Sequence, residues 1–444
     1  MTYLSFREYV MGAAKIGIGL GVVSILARWV TGNTIFGSPE ALVKYGIFGG
    51  IGFALMGAFA LSAFGFLGRR VRRELSEGMT IGDYMRGKLH PFGYWLMIII
   101  LLITTVEGMF VQGMAGGVLL NILFGLPIPL GLLCFFIFCV LFAGIGGIRS
   151  IHRFAIVQIV ITFAAAILIP VYFFVGKGVE HVYNGLRLYH PYLLVLNNYE
   201  GLFFIITGLL IGFGQVFVDQ ASWQRLYMME EKKVVPTFLL SGLIFATVPL
   251  SFSSLIIIVI FTGGFDDIYS LLFDLVRKID TMFLLILFVL CSFGAIMSAF
   301  GAGLHSMISL MVNNVYQLFR PHATERQKIR LSYILAIAIG VLSFCLTLYF
   351  QPTLLDLLFF FGIIYASLFL PVVVIVMTQG KAHNFILISA VIGLAAGYGS
   401  RVFVDNMKAI WIASSSTALT LLAYLCVTWL WKHYFRTPER PDSQ

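Results

Sequence analysis

Ser24-Ile25-Leu26-Ala27-Arg28-Trp29-Val30-Thr31-Gly32-Asn33-Thr34-Ile35-Phe36-Gly37 lies mid-way through the first long apolar segment of the chain. Upstream, Ile16-Gly17-Ile18-Gly19-Leu20-Gly21-Val22-Val23 is good membrane-helix material. The centre then holds an arginine, two threonines, an asparagine and a glycine. A continuous lipid-facing helix gains nothing from them, since a charge at the bilayer centre costs about 2.5–3.5 kcal/mol on insertion scales. The cluster makes sense if the helix is broken there and its freed peptide groups face a protein-lined cavity. A broken opening span with polar residues at mid-depth points to the binding site of a secondary transporter.

The rest of the chain fits that setting. It has 444 residues, 60% hydrophobic and 11% charged, with a mean hydropathy of +0.97. A soluble domain of that composition would have no surface to show water. The net charge of +9 sits in short loops between apolar segments. That distribution follows the positive-inside rule and disfavours a nucleic-acid partner. Cys134, Cys139, Cys291, Cys345 and Cys426 all lie in apolar segments without metal-ligand spacing, so packing is the role expected of them. No phosphate-binding glycine loop, catalytic triad or metal run stands out, so neither an enzyme nor an ATP-driven pump is indicated.

About 12 segments are long enough to cross a bilayer. They cover residues 12–44, 46–68, 92–122, 128–147, 149–175, 202–225, 235–263, 280–317, 329–350, 352–378, 383–404 and 409–433. Arg69, Arg70, Arg72, Arg73, Arg86, Lys88, Arg149, Arg153, Arg225, Lys232, Lys233, Arg320, Arg326, Lys328, Arg330 and Lys381 fall on one side. The other side has fewer basic residues, and Arg277 and Lys278 there stand beside Asp266, Asp267, Asp274 and Asp280. The bias places both termini, including the polar tail Arg436-Thr437-Pro438-Glu439-Arg440-Pro441, in the cytoplasm of a plasma-membrane protein, of bacterial inner-membrane type. Gly208, Gly212 and Gly214 before Gln215 weaken the sixth segment and predict a second break there. Segments one and six each open a group of five, the correspondence expected of a five-plus-five inverted repeat. The expected division is a core over 1–378, with repeats over about 12–175 and 202–378, and two additional spans over 379–444 with a short tail. The eighth segment is too long for a simple crossing and is expected to tilt or overrun.

Polar groups inside such spans are few, so each carries information. Arg28 reads as a fixed cation in the cavity or as a structural partner of a buried carboxylate. Glu107 lies at comparable depth and is either its counter-ion or a proton carrier. Asp219 and Gln220 lie near the inner end of the sixth segment and read as gate or coupling residues. Asp356 follows Pro352, where a helix N-terminus favours a carboxylate. His305 reads as structural rather than as a proton shuttle. Thr31, Asn33, Glu107, Gln112 and Gln215 are the candidate solute-binding groups, with Phe359, Phe360 and Phe361 as aromatic gates. Ser62 is nearly alone as a polar group in the second segment, which disfavours a sugar. A small neutral, zwitterionic or carboxylate solute fits better, the last through Arg28 or a half-helix N-terminus.

These residues together resemble the solute:sodium symporter family, the relatives of sodium–proline and sodium–glucose carriers. Ala27-Arg28-Trp29-Val30-Thr31-Gly32-Asn33 is similar to its first break. Gly146-Gly147-Ile148-Arg149-Ser150-Ile151 with Gln158, and Asp219-Gln220-Ala221-Ser222-Trp223-Gln224-Arg225, resemble two further signatures. Ala295-Ile296-Met297-Ser298, with Asn314-Val315-Tyr316 and Arg320-Pro321, is similar to its eighth core helix and loop. Val216-Phe217-Val218-Asp219-Gln220 has a faint likeness to the urea-carrier branch. Phe6-Arg7-Glu8-Tyr9-Val10-Met11-Gly12 resembles the loop after the family's leading helix, so that helix is expected to be missing.

The resemblance implies a sodium site built from the carbonyls of Ala27, Val30 and Ala295 and two hydroxyls on segment eight. Ser298 supplies one hydroxyl, but the second position is Ala299. Ala155 stands where a second cation site would have aspartate, and Arg28 stands where threonine is usual. A hard cation needs several oxygen ligands, and a guanidinium beside it repels it. The expectation is therefore a degenerate sodium site with Arg28 as cation surrogate. No cofactor is implied, sodium or the proton being the coupling ions to consider. A conventional sodium:solute symporter and a non-transporting membrane sensor or subunit are the rival readings. Substrate and oligomeric state stay open.

Overall fold

The computed structural model describes residue 3 and residues 5–260, 281–349 and 354–434. The expected acidic and basic loop residues Asp266, Asp267, Asp274, Arg277, Lys278 and Asp280 lie outside the described residues, as do Pro352 and the tail from Arg436. The described chain is helical, apart from an isolated bridge between Leu89 and Ala382. Its helices are α1 Phe6–Met11, α2 Ile18–Trp29, α3 Ser38–Tyr45, α4 Ile47–Glu74, α5 Ile81–Lys88 and α6 Pro91–Phe124. There follow α7 Ile128–Cys139, α8 Gly147–Lys177, α9 Val179–Tyr189, α10 Tyr199–Val218, α11 Gln220–Met228 and α12 Glu231–Ile260. The last are α13 Met282–Leu310, α14 Glu325–Tyr349, α15 Leu354–Met377, α16 Phe385–Ser400 and α17 Asn406–Tyr434.

Ten of the described helices are long and apolar enough to cross a membrane, or eleven if the bent pair Ile18–Trp29 and Asn33–Tyr45 is one span. The difference from twelve lies in α16. Its 16 residues reach only about 24 Å at 1.5 Å per residue, short of the ~30 Å hydrocarbon layer. The opposite holds for Met282–Phe319, whose 38 residues extend about 57 Å through a π-helical turn at Met311–Tyr316.

The first span breaks where the polar cluster lies. α2 ends at Trp29, Val30 is extended (φ −77°, ψ 100°), and the chain re-enters through a π-helical turn at Asn33–Gly37. The two halves meet at 65°. Gly32 allows the bend, because a Cβ there would lie 2.8 Å from the Ala115 Cβ. The sixth span also breaks, but later than its glycines predict. α10 runs unbroken through Gly208, Gly212 and Gly214, and the interruption is Asp219 (φ −70°, ψ 99°). The glycines serve close packing instead. A Cβ on Gly212 would meet the Met56 carbonyl oxygen at 2.6 Å, and one on Gly214 would overlap the Tyr365 carbonyl. Small residues let membrane helices approach in this way.

Helix α4 packs against both α10 and α12, and α13 packs against α2, α6 and α8. α15 lies along α10, and α16 and α17 pair with each other. The N-terminal helix α1 is sealed in. The Tyr9 hydroxyl donates to the Gly144 carbonyl at 2.5 Å, and the Gln224 amide donates to the Val10 carbonyl at 2.8 Å. The His305 Nε2 lies 3.0 Å from the Tyr9 carbonyl oxygen, which gives this histidine a structural setting.

Candidate functional site

The two interruptions meet. Arg28 is in the last turn of α2, and Asp219 is the N-cap of α11. The Arg28 Nε and Nη2 donate to Asp219 Oδ1 at 3.0 and 2.7 Å. The other carboxylate oxygen accepts from the Ser222 amide at 2.9 Å and its hydroxyl at 2.5 Å. Ser222 also accepts from the Trp29 indole at 3.0 Å, tying the two broken spans a second time. The third contact of Arg28 is the one relevant to a cation. Its Nη1 donates to the Ala299 carbonyl on α13 at 3.4 Å. Ala27, Val30, Ala295, Ser298 and Ala299 are all buried where α2 and α13 pack.

The expected pairing of Arg28 with Glu107 is therefore corrected. Glu107 is hydrogen-bonded to the Tyr365 hydroxyl, and Asp219 is the counter-ion of Arg28. The reason is the position of the sixth break. With α10 ending at Val218, Asp219 falls beside Arg28 at the end of α2 rather than further along a continuous helix.

A polar cavity of about 60 Å³ opens beside this pair. Arg28, Thr31, Asn33, Glu107, Gln112, Gln215 and Asp219, all singled out from sequence, line it together. A second hollow of about 50 Å³ adjoins it and shares Arg28, Thr31, Asn33, Gln215 and Asp219. Local bonding holds the broken backbone open. The Gly32 amide donates to Gln112 Oε1 at 2.9 Å, and the Thr34 hydroxyl donates to the Trp29 carbonyl at 3.1 Å. The Asn33 Oδ1 is buried against Gly37, where a Cβ would overlap it, and has no hydrogen-bond partner among the described residues. Gln220 sits next to the cavity and is used structurally, donating to the Leu101 carbonyl and the Thr105 hydroxyl, each at 2.7 Å.

Phe361 is not brought to this place. It lines a separate, largely apolar crevice of about 700 Å³. Sequence reasoning missed Thr104, Thr105, Leu358 and Tyr365 as cavity-lining residues. Tyr365 had a signal, being the one hydroxyl-bearing aromatic in the apolar run from Leu357 to Phe369.

A polytopic helical bundle whose interrupted spans meet around a polar hollow has the architecture of a secondary transporter. The profile of the Sodium:solute symporter family matches residues 9–393, and the chain belongs to that family. It is 21% identical over 264 residues to the probable urea active transporter 1 of Schizosaccharomyces pombe, 53% of this chain and 38% of that protein. The matched stretch thus spans well under half of that relative. It is 25% identical over 426 residues to the sodium/pantothenate symporter of Haemophilus influenzae, 90% of this chain and 84% of that one. The fold is that of a Na+-coupled sialic acid symporter in a substrate-bound outward-open state. That structure has a TM-score of 0.78 at 14% identity and covers 95% of this chain and 92% of the other.

Proposed function

We propose that this protein carries a small polar solute across the membrane by alternating access, and that Arg28 takes the place of a bound cation. The cavity between the two broken spans is the solute site, and residues 1–378 form the moving core, with both termini on the cytoplasmic side. The observation that supports this most is the position of one guanidinium. Arg28 joins the end of α2, the break at Asp219 and the Ala299 carbonyl of α13. A guanidinium there would hold the first span to the eighth without a bound ion. Transport is then independent of sodium.

The charge balance narrows the solute. Arg28 is already neutralised by Asp219, so a carboxylate gains little from it. A small neutral or zwitterionic solute suits a hollow lined by the uncharged polar side chains of Thr31, Gln112 and Gln215. Family membership favours a second reading, conventional sodium:solute symport. Proteoliposomes separate the two. Uptake of radiolabelled urea, proline and pantothenate is measured with sodium, then with choline, outside. Equal uptake of any one of them supports the proposal. Uptake that requires sodium selects the second reading, and binding without flux in either salt favours a sensor.

A further inference from the structure

The two hollows beside the Arg28–Asp219 pair have different walls. They share Arg28, Thr31, Asn33, Gln215, Asp219 and Leu358. The first hollow alone is lined by Thr104, Thr105, Glu107, Gln112 and Tyr365, all with hydrogen-bonding side chains. The second hollow's own residues are Trp29, Thr34, Phe53, Met56 and Phe245. Their polar side-chain atoms are spent. The Trp29 indole N–H donates to the Ser222 hydroxyl at 3.0 Å, and the Thr34 hydroxyl donates to the Trp29 carbonyl at 3.1 Å. What remains is the rings of Trp29, Phe53 and Phe245 and the Met56 thioether, with Trp29 and Phe245 edge to face at 6.2 Å. Water on such a wall finds few of the about two to four partners it needs, so an apolar group that displaces it gains affinity. The first hollow offers the opposite. Arg28 donates once from each of its nitrogens, to Asp219 and Ala299, so each Nη keeps a second N–H for a solute oxygen. The Glu107 carboxylate bonds the Tyr365 hydroxyl through Oε2, which leaves Oε1 to accept from a solute N–H.

We infer that the solute is a small amphiphile. Its head, with N–H groups beside a carbonyl or carboxylate oxygen, occupies the first hollow, and an apolar tail occupies the second. The volume sets the length of the tail. A hollow of about 50 Å³ takes about four carbons, at about 10–15 Å³ for each water-sized group. A few polar groups orient such a solute while apolar walls enclose it, as in most small-molecule sites. The inference rests on the reading of the cavity as a solute site, and the two fail differently. A cavity that is no solute site binds neither urea nor any amphiphile. A solute cavity without a tail subsite binds the shortest molecules and gains nothing from a longer tail.

The purified full chain in nanodiscs is titrated by calorimetry with urea and with two ladders lengthened one methylene at a time. Alanine to 2-aminoheptanoate presents a zwitterionic head, and acetamide to hexanamide a neutral one. Empty nanodiscs correct for partition into lipid. In at least one ladder, affinity should rise about fourfold per added methylene, the transfer value for one buried CH2 group. The rise should end at about four tail carbons, and the next member should bind more weakly. Phe245→Leu, which enlarges the second hollow, should turn that drop into a further gain, a result that misfolding cannot produce. Tyr365→Phe, in the first hollow, should weaken every member by the same factor and leave the best tail length where it was. Binding of urea and the shortest members without gain along either ladder, a rise that continues through the last member, a drop unmoved in Phe245→Leu, or no binding of any probe would overturn the inference.

Discussion

Replacing Asp219 by asparagine tests the central bridge with almost no change of shape. The Asp219 side chain is 8% exposed and that of Arg28 is 14% exposed, so the pair counts as buried. Two N–H groups of the guanidinium point at one oxygen, at 3.0 and 2.7 Å, and Ser222 donates twice to the other. Asparagine keeps one acceptor but removes the negative charge, leaving the guanidinium with the Ala299 carbonyl as a distant partner at 3.4 Å. Removing one member of a buried pair costs about 3–5 kcal/mol. At about 2 °C per kcal/mol for a large chain, the melting temperature in detergent should fall by about 6–10 °C. The double variant Arg28→Met with Asp219→Asn removes both charges and should recover most of that loss, because an apolar replacement of a whole buried pair is often neutral. Thermal unfolding of the four proteins of this cycle supplies the coupling energy. Equal melting temperatures for Asp219→Asn and the parent, or strictly additive losses in the double variant, would refute the reasoning.

Three further outcomes follow from single contacts. Gln112→Ala leaves the Gly32 amide without its acceptor at 2.9 Å and should cost about 1–3 kcal/mol of stability, read by thermal unfolding; a leucine at that position should do no better. Gly212→Ala sets a methyl group 2.6 Å from the Met56 carbonyl oxygen and should cost about 1–3 kcal/mol through overpacking, whereas Gly176→Ala, with open space around it, should leave the melting temperature unchanged. Burial raises the Asp405 carboxyl, but Lys408, its ammonium at 2.8 Å and its amide at 2.9 Å, outweighs this and holds the group below its ordinary value of 3.8. A depressed carboxyl stabilises the fold above its unfolded value and loses that contribution as pH falls through the folded one. The half-exposed pair is screened by solvent and contributes little, so Asp405→Asn should be slightly less stable than the parent at neutral pH and equal to it in unfolding scans well below pH 3.8.

The first break was legible because polarity was concentrated in a segment that otherwise has none. Arg28, Thr31, Gly32 and Asn33 have no use on a lipid-facing helix, and the bend falls among them. The second break was harder to place, since Gly208, Gly212 and Gly214 look the same whether they weaken a helix or let another approach. The neighbouring carbonyls of Met56 and Tyr365, which decide between these uses, are distant in sequence. That shift in the break moved Asp219 to Arg28 and left Glu107 to Tyr365. The three phenylalanines stay out of the polar cavity for a simpler reason. Consecutive helical residues point about 100° apart, at 3.6 residues per turn. Phe359 is accordingly buried against Phe204, whereas Phe360 and Phe361 both border the apolar crevice. The size of that crevice has no counterpart in any local pattern, because four helices from both halves of the chain build it.

Sodium binding to the purified protein tests the surrogate role of Arg28 without knowledge of the solute. Radioactive sodium is equilibrated with the parent chain and with the double variant Arg28→Thr, Ala299→Ser. The account predicts no saturable binding by the parent across physiological sodium concentrations, and saturable binding by the variant once the guanidinium is gone and the second hydroxyl restored. Saturable binding by the parent, undiminished by Arg28, would contradict it.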